Sequence, residues 1–128
     1  YNIKYTGGRF MKISEVSEKF ALSQDTLRYY ERIGLISKIA RDKSGIRNYT
    51  DKDCKWIEFV KCMRNAGLSI EVLIEYLELL QQGDLTINSR KELLAKQREQ
   101  LVERMKDMQS TLDRLDYKIG IFEGKKLL

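Results

Sequence analysis

Apolar residues recur along this chain in two rhythms. Short bursts at three- and four-residue spacing run up to Gln82, and a seven-residue repeat takes over from Thr86. The bursts predict short amphipathic helices, each opened by a side chain able to cap backbone N–H groups and closed by a glycine or a change of period. After an extended lead-in at Met11 to Ile13, Ser14 caps a helix through Phe20 that turns Val16 and Phe20 inward. Ser23 opens a second helix that exits at Gly34, with acidic Asp25 suited to its positive first turn. Leu27, Ile33 and part of the Tyr29/Tyr30 pair face a core, which leaves Thr26, Arg28, the other tyrosine and Arg32 for a partner. Leu35 to Asn48 then loses the helical period, and Ile39-Ala40-Arg41 and Ile46-Arg47-Asn48-Tyr49 flank Ser44-Gly45 as the arms of a β-hairpin. Thr50, with Asp51 and Asp53, caps a third helix to Asn65 that stops at Gly67, its apolar face formed by Trp56, Phe59, Val60 and Met63. Ser69 opens a fourth through Gln82 with Ile70, Leu73, Ile74, Leu77 and Leu80 inward. Its Glu71, Glu75 and Glu78 point to water and would repel a polyanion.

The second rhythm places Ile87, Leu94, Leu101, Met108, Leu115 and Phe122 seven apart, with Met105, Leu112 and Ile119 interleaved. That is an a/d seam on a helix about 58 Å long if it continues to Gly124. Lys91 and Arg98 occupy interleaved positions early, so the seam is weak at its start. One narrow stripe on so long a helix needs a second copy to cover it, and Leu94, Leu101, Met105, Met108, Leu112, Leu115, Ile119 and Phe122 are the expected dimerisation residues. The fold class is therefore mainly α. A winged helix-turn-helix domain with two supporting helices occupies 11–82, and a linker with a long C-terminal coiled-coil dimerisation helix occupies 83–128. Residues 1–10 precede the first methionine, include Gly7-Gly8, and read as a leader outside the fold.

At 128 residues the chain buries one modest core. Its absence of proline and its 34% charged residues favour helix, and a net charge of +5 suits an anionic partner. Position matters more than the total, because Arg28 to Arg47 carry six basic residues against two acidic ones. There is no histidine, which removes Ser-His-Asp and Cys-His catalysis and most zinc sites, so neither an enzyme nor a metal or other cofactor is expected. Cys54 and Cys62 lie about 12 Å apart on one helix and cannot pair within the chain, which points to a reduced, cytoplasmic protein. No apolar run approaches transmembrane length.

Arginine, tyrosine and threonine on one short helix offer a bidentate cation, a flat ring with a hydroxyl and a small donor, the groups that phosphates and base edges engage. Two short helices joined by Ala21-Leu22 match the helix-turn-helix unit, although periodicity alone fits an ordinary helical hairpin as well. The expected DNA-binding residues are Ser23, Thr26, Arg28, Tyr29 and Tyr30 on the helix, and Arg41, Lys43, Arg47 and Tyr49 on the wing. Cys62 borders the apolar stripe with Lys61 and Arg64 near it, and Cys54 sits in a first turn whose dipole favours a thiolate. A small core cysteine remains an equal reading for Cys62 on these grounds.

The run Thr26-Leu27-Arg28-Tyr29-Tyr30-Glu31-Arg32-Ile33-Gly34-Leu35, followed by Arg47-Asn48-Tyr49 and an acidic helix start, resembles the MerR family of bacterial transcription regulators. The resemblance extends from Met11 to the C-terminus. It implies a homodimer whose long helices pair antiparallel. It also implies binding to double-stranded promoter DNA with an overlong spacer, which the activator bends and undertwists so that RNA polymerase, engaged only through that DNA, meets both promoter elements on one face. By position, Arg28, Tyr30, Arg47 and Tyr49 would touch DNA. The long helix carries no cysteine or histidine, unlike the family's metal sensors, and no large effector domain follows. The segments Lys55-Trp56-Ile57-Glu58-Phe59 and Lys61-Cys62-Met63-Arg64-Asn65-Ala66-Gly67-Leu68-Ser69 resemble the short branch that answers aldehydes and nitrosative or electrophilic stress, where the signalling cysteine matches Cys62, with Cys54 second. Two alternatives stay open: a DNA-bending accessory factor of the excisionase type, and a regulator whose signal is a small molecule rather than a thiol modification.

Overall fold

The structure is a computed structural model that describes residues 10–124. The leader expected at 1–10 thus lies outside the described residues except for Phe10, which is exposed. Five helices follow in order, α1 (Ile13–Phe20), α2 (Gln24–Arg32), α3 (Asp51–Asn65), α4 (Ile70–Gln81) and α5 (Ile87–Phe122), with a 3-10 turn at Gly83–Thr86 before the last. The chain divides into two compact units at 87/88, where α5 begins.

In the first unit most helix starts follow local capping chemistry. The Ser23 hydroxyl accepts the Thr26 N–H at 3.0 Å, Thr50 and Asp53 exchange backbone N–H bonds through their side chains, and Ser69 accepts from Val72. These satisfy donors that an α-helix leaves unpaired in its first turn. The expected cap at Ser14 is corrected. Helix α1 starts two residues earlier, behind Lys12, whose N–H donates to the Glu15 carboxylate at 2.9 Å. A lysine ammonium cannot accept a hydrogen bond, so that single returning bond is all the side-chain capping α1 has.

Two adjoining apolar clusters form the core. The first joins Met11, Val16, Phe20, Leu27, Ile36, Ile39, Tyr49, Cys54 and Ile57, and the second joins Leu35, Val60, Leu68 and Leu73. Helix α3 therefore buries Cys54, Ile57 and Val60, whereas Trp56, Phe59 and Met63 of the expected stripe are only partly covered. On α4, Leu73 and Leu77 are buried while Leu80 is exposed.

The segment between α2 and α3 is a short wing. Gly34 leaves α2 with φ +83°, a conformation that costs a residue with a Cβ, and the chain turns back so that Leu35 and Ile36 both donate N–H to the Tyr30 carbonyl. Arg41 and Arg47 then pair antiparallel around a turn in which Asp42 accepts the Ser44 and Ile46 N–H groups. Beyond it, Tyr49 pairs antiparallel with Met11, each donating its N–H to the other's carbonyl, which ties the wing's exit strand to the start of the domain.

The second unit is the single helix α5, whose 36 residues span about 54 Å. From its middle onward the apolar stripe is bare: Met105, Met108, Leu112, Leu115, Ile119 and Phe122 are all exposed.

Candidate nucleic-acid interface

Helix α2 and the wing bring their cations together. Arg28, Arg32, Lys38 and Arg47 line a recess of about 420 Å³ with Glu31 among them. Glu31 joins three segments, because its Oε1 accepts the Arg47 ε N–H at 2.8 Å and its Oε2 accepts the Ile39 backbone N–H at 3.1 Å. Both partners of that ion pair are largely covered, at 20% and 12% exposure, so it holds better than a surface pair. Only the ε edge of Arg47 is used, and the terminal edge of its guanidinium keeps its donors.

Arg28 is held more loosely by its own helix, with one terminal nitrogen on Asp25 and the other on Gln24. Asp25 is almost wholly exposed, and such a pair yields readily to a phosphate. Tyr29 is exposed and carries the Arg32 guanidinium 5.2 Å from its ring centroid. On the wing, Arg41 donates to the Gly45 carbonyl, and Lys43 stands exposed in the turn. The turn is fixed by Asp42, whose carboxyl is held below the usual range chiefly by the Ile46 N–H and the Lys12 ammonium. Lys12 bonds both Asp42 and Asn48 and so clamps the wing from its base.

The remaining expected contacts are placed differently. The Ser23 hydroxyl is engaged in capping and also donates to Thr26, which is half-buried. The Tyr30 ring packs against both core clusters. Tyr49 is corrected: its side chain is fully buried, its hydroxyl lies in the core without a hydrogen-bond partner, and burial pushes its pKa up to about 12. A ring enclosed on all sides offers no surface to a duplex. Lys12, Lys38 and Glu31 do not stand among the residues expected from sequence. The basic excess between Arg28 and Arg47 was the signal that could have found Lys38.

The two thiols differ sharply. Cys62 is exposed on α3. The second candidate, Cys54, is corrected, since it is fully buried with its Sγ 3.8 Å from the Met11 sulfur and behaves as a core residue. Among the described residues no cluster of His, Cys, Asp or Glu could hold a metal ion, and no helix is long and apolar enough to cross a membrane.

Comparison with known proteins gives this arrangement a family. Residues 11–80 match the model described as MerR HTH family regulatory protein, and 55–117 match MerR, DNA binding. The chain is 57% identical over 93 residues to the HTH-type transcriptional regulator AdhR of Bacillus subtilis, covering 73% of this chain and 66% of that relative. A third of the relative thus lies outside the match. The crystal structure of a MerR family regulator from Listeria monocytogenes superposes with a TM-score of 0.85 at 52% identity, over 88% of this chain and 86% of the other. That of HiNmlR, described as a MerR family regulator lacking the sensor domain and bound to promoter DNA, superposes with a TM-score of 0.82 at 30% identity, over 90% and 91% of the two chains. These relatives are named as regulators and not as enzymes. With family models matching 11–80 and 55–117 and relatives this similar along most of its length, this chain belongs to the MerR family of DNA-binding transcription regulators.

Proposed function

We propose that the protein is a cytoplasmic, homodimeric activator that binds double-stranded promoter DNA with an overlong spacer. It bends and undertwists that DNA, and so acts on RNA polymerase only through the duplex. The cationic face of α2 and the wing would carry the phosphate contacts, with Arg28, Arg32, Lys38 and Arg47 around the recess and Arg41 and Lys43 on the wing. The likeness to a relative crystallised on promoter DNA supports this reading.

The signal would be an aldehyde or another electrophile that alkylates Cys62. The observation carrying this part is that Cys62 is the exposed thiol of the pair and sits on the helix that braces the wing. On that same helix Val60 packs in a cluster with Leu35, and the Trp56 indole N–H bonds the Leu35 carbonyl at 2.8 Å. Leu35 begins the connection from α2 to the wing. An adduct on Cys62 would load the exposed face of α3 beside that junction, and a shift of α3 there would reorient the DNA-reading face.

In vitro transcription on the native promoter tests both parts. The parent protein should activate when an electrophile is added. Cys62→Ala should bind the promoter equally well and stay inactive. A template whose spacer is shortened to the length polymerase prefers should fire without the protein. Full induction of Cys62→Ala would sink the thiol signal and leave the small-molecule reading.

A further inference from the structure

Apart from the DNA-facing surface, the described residues of the first unit form a hollow whose chemistry the regulator reading leaves unused. It has a volume of 490 Å³, within the range of small-molecule sites, and opens between the start of α3 and the end of α4. Its wall is aromatic. Trp56 lies 5.4 Å from Phe59 and 5.9 Å from Tyr76, the latter ring nearly parallel at 5°. Ile36, Leu77 and Leu80 complete the apolar lining. Three polar groups of the lining are already engaged: the Trp56 indole with Leu35, the Ser37 hydroxyl with Gln81, and the Asp53 carboxylate with the Thr50 N–H.

The mouth has a different character. Lys52 and Lys55 are exposed there, neither makes an ion pair among the described residues, and Asp53 is the one acid among the lining residues. A flat apolar hollow rimmed by two free ammonium groups fits a molecule with a planar hydrophobic body and a negative head. We propose that this recess binds a small aromatic carboxylate, its ring against the Trp56–Tyr76 wall and its carboxylate between Lys52 and Lys55. The ring would gain burial and stacking, and the head would gain two partly solvated ion pairs. Such a ligand would rest on the face of α3 that carries the Leu35 contact, so the site offers a second input to the wing that does not pass through Cys62.

Trp56 is the single tryptophan, so its indole N–H gives one NMR resonance that reports on the site in the full-length protein without DNA. Titration with 2-naphthoate should move that resonance saturably, and the neutral 2-naphthamide should bind about fivefold more weakly, the size expected for losing partly screened ion pairs. In the double variant Lys52→Met/Lys55→Met the amide should bind as before while the carboxylate loses its advantage. The absence of saturable binding, or equal affinity of acid and amide for the parent, would overturn the proposal. So would binding confined to the monomeric Leu112→Lys variant, which would assign the recess to a second copy of the chain. All of these outcomes are read without promoter DNA, so they stand apart from any failure of the transcriptional reading.

Discussion

Tyr49 has the chemistry of a DNA contact and the burial of a core residue, and its hydroxyl separates the two roles. With no partner for that hydroxyl, burial raises its pKa to about 12, a rise that the Arg47 and Arg28 charges only partly oppose. A buried hydroxyl without a hydrogen bond forfeits its water for nothing, so Tyr49→Phe should be neutral to stabilising by about 1 kcal/mol, measured by chemical denaturation. Promoter affinity should stay within about twofold, because a phosphate contact worth its usual ~1 kcal/mol would cost more. The folded-state pKa lies above the unfolded value of 10.0. The tyrosine's contribution is therefore complete below pH 10 and is lost as pH rises towards 12. The variant should unfold at higher pH than the parent. A tenfold loss of promoter affinity in Tyr49→Phe would instead return the hydroxyl to the DNA interface.

Among the elements, the wing and α3 stand or fall together, because Thr50 ends one and caps the other. Its hydroxyl accepts the Asp53 N–H at 3.1 Å while Asp53 returns the bond to the Thr50 N–H at 2.9 Å. Thr50→Ala should cost about 1 kcal/mol of stability in thermal or denaturant unfolding. A change below a few tenths would mean the box contributes nothing. The caps at Ser23, Thr50 and Ser69 were legible in the sequence because capping is local, the side chain acting on N–H groups two or three residues ahead. Ser14 misled for the same reason, since a serine near a helix start fits the rule even where Lys12 takes the cap position. The buried face of α3 was legible only in part. Of the expected face only Val60 is fully buried; packing added Cys54 and Ile57 and left Trp56, Phe59 and Met63 partly covered, and only the neighbouring elements decide between two adjacent faces of one helix. The candidate site divides in the same way. The basic run from Arg28 to Arg47 shows in the sequence, but the Glu31 bond that fixes Arg47 spans sixteen positions and depends on the turn at Gly34.

For the whole molecule the decisive feature is the bare half of α5. Its heptad residues are too regular to be incidental: Met108, Leu115 and Phe122 are 72%, 55% and 84% exposed, and Leu112 between them is 49% exposed. A contiguous apolar stripe along a helix in water is a surface that association covers, and seven-residue spacing matches the seam of paired helices. Leu112 lies near the middle of that exposed stretch, so in an antiparallel pair it would sit close to its own counterpart across the dyad. Leu112→Lys would then bring two ammonium groups together in an apolar seam, where neither finds a carboxylate nor escapes easily to water. The variant should sediment as a monomer where the parent is a dimer, and its far-UV circular dichroism should report a frayed α5 beside an intact first unit. Promoter binding should fall by about two orders of magnitude or more, because two half-site contacts made by one particle reinforce each other and that gain vanishes when they are separate. A parent protein that is itself monomeric at micromolar concentration, or a Leu112→Lys variant that remains dimeric, would remove α5 as the dimer interface.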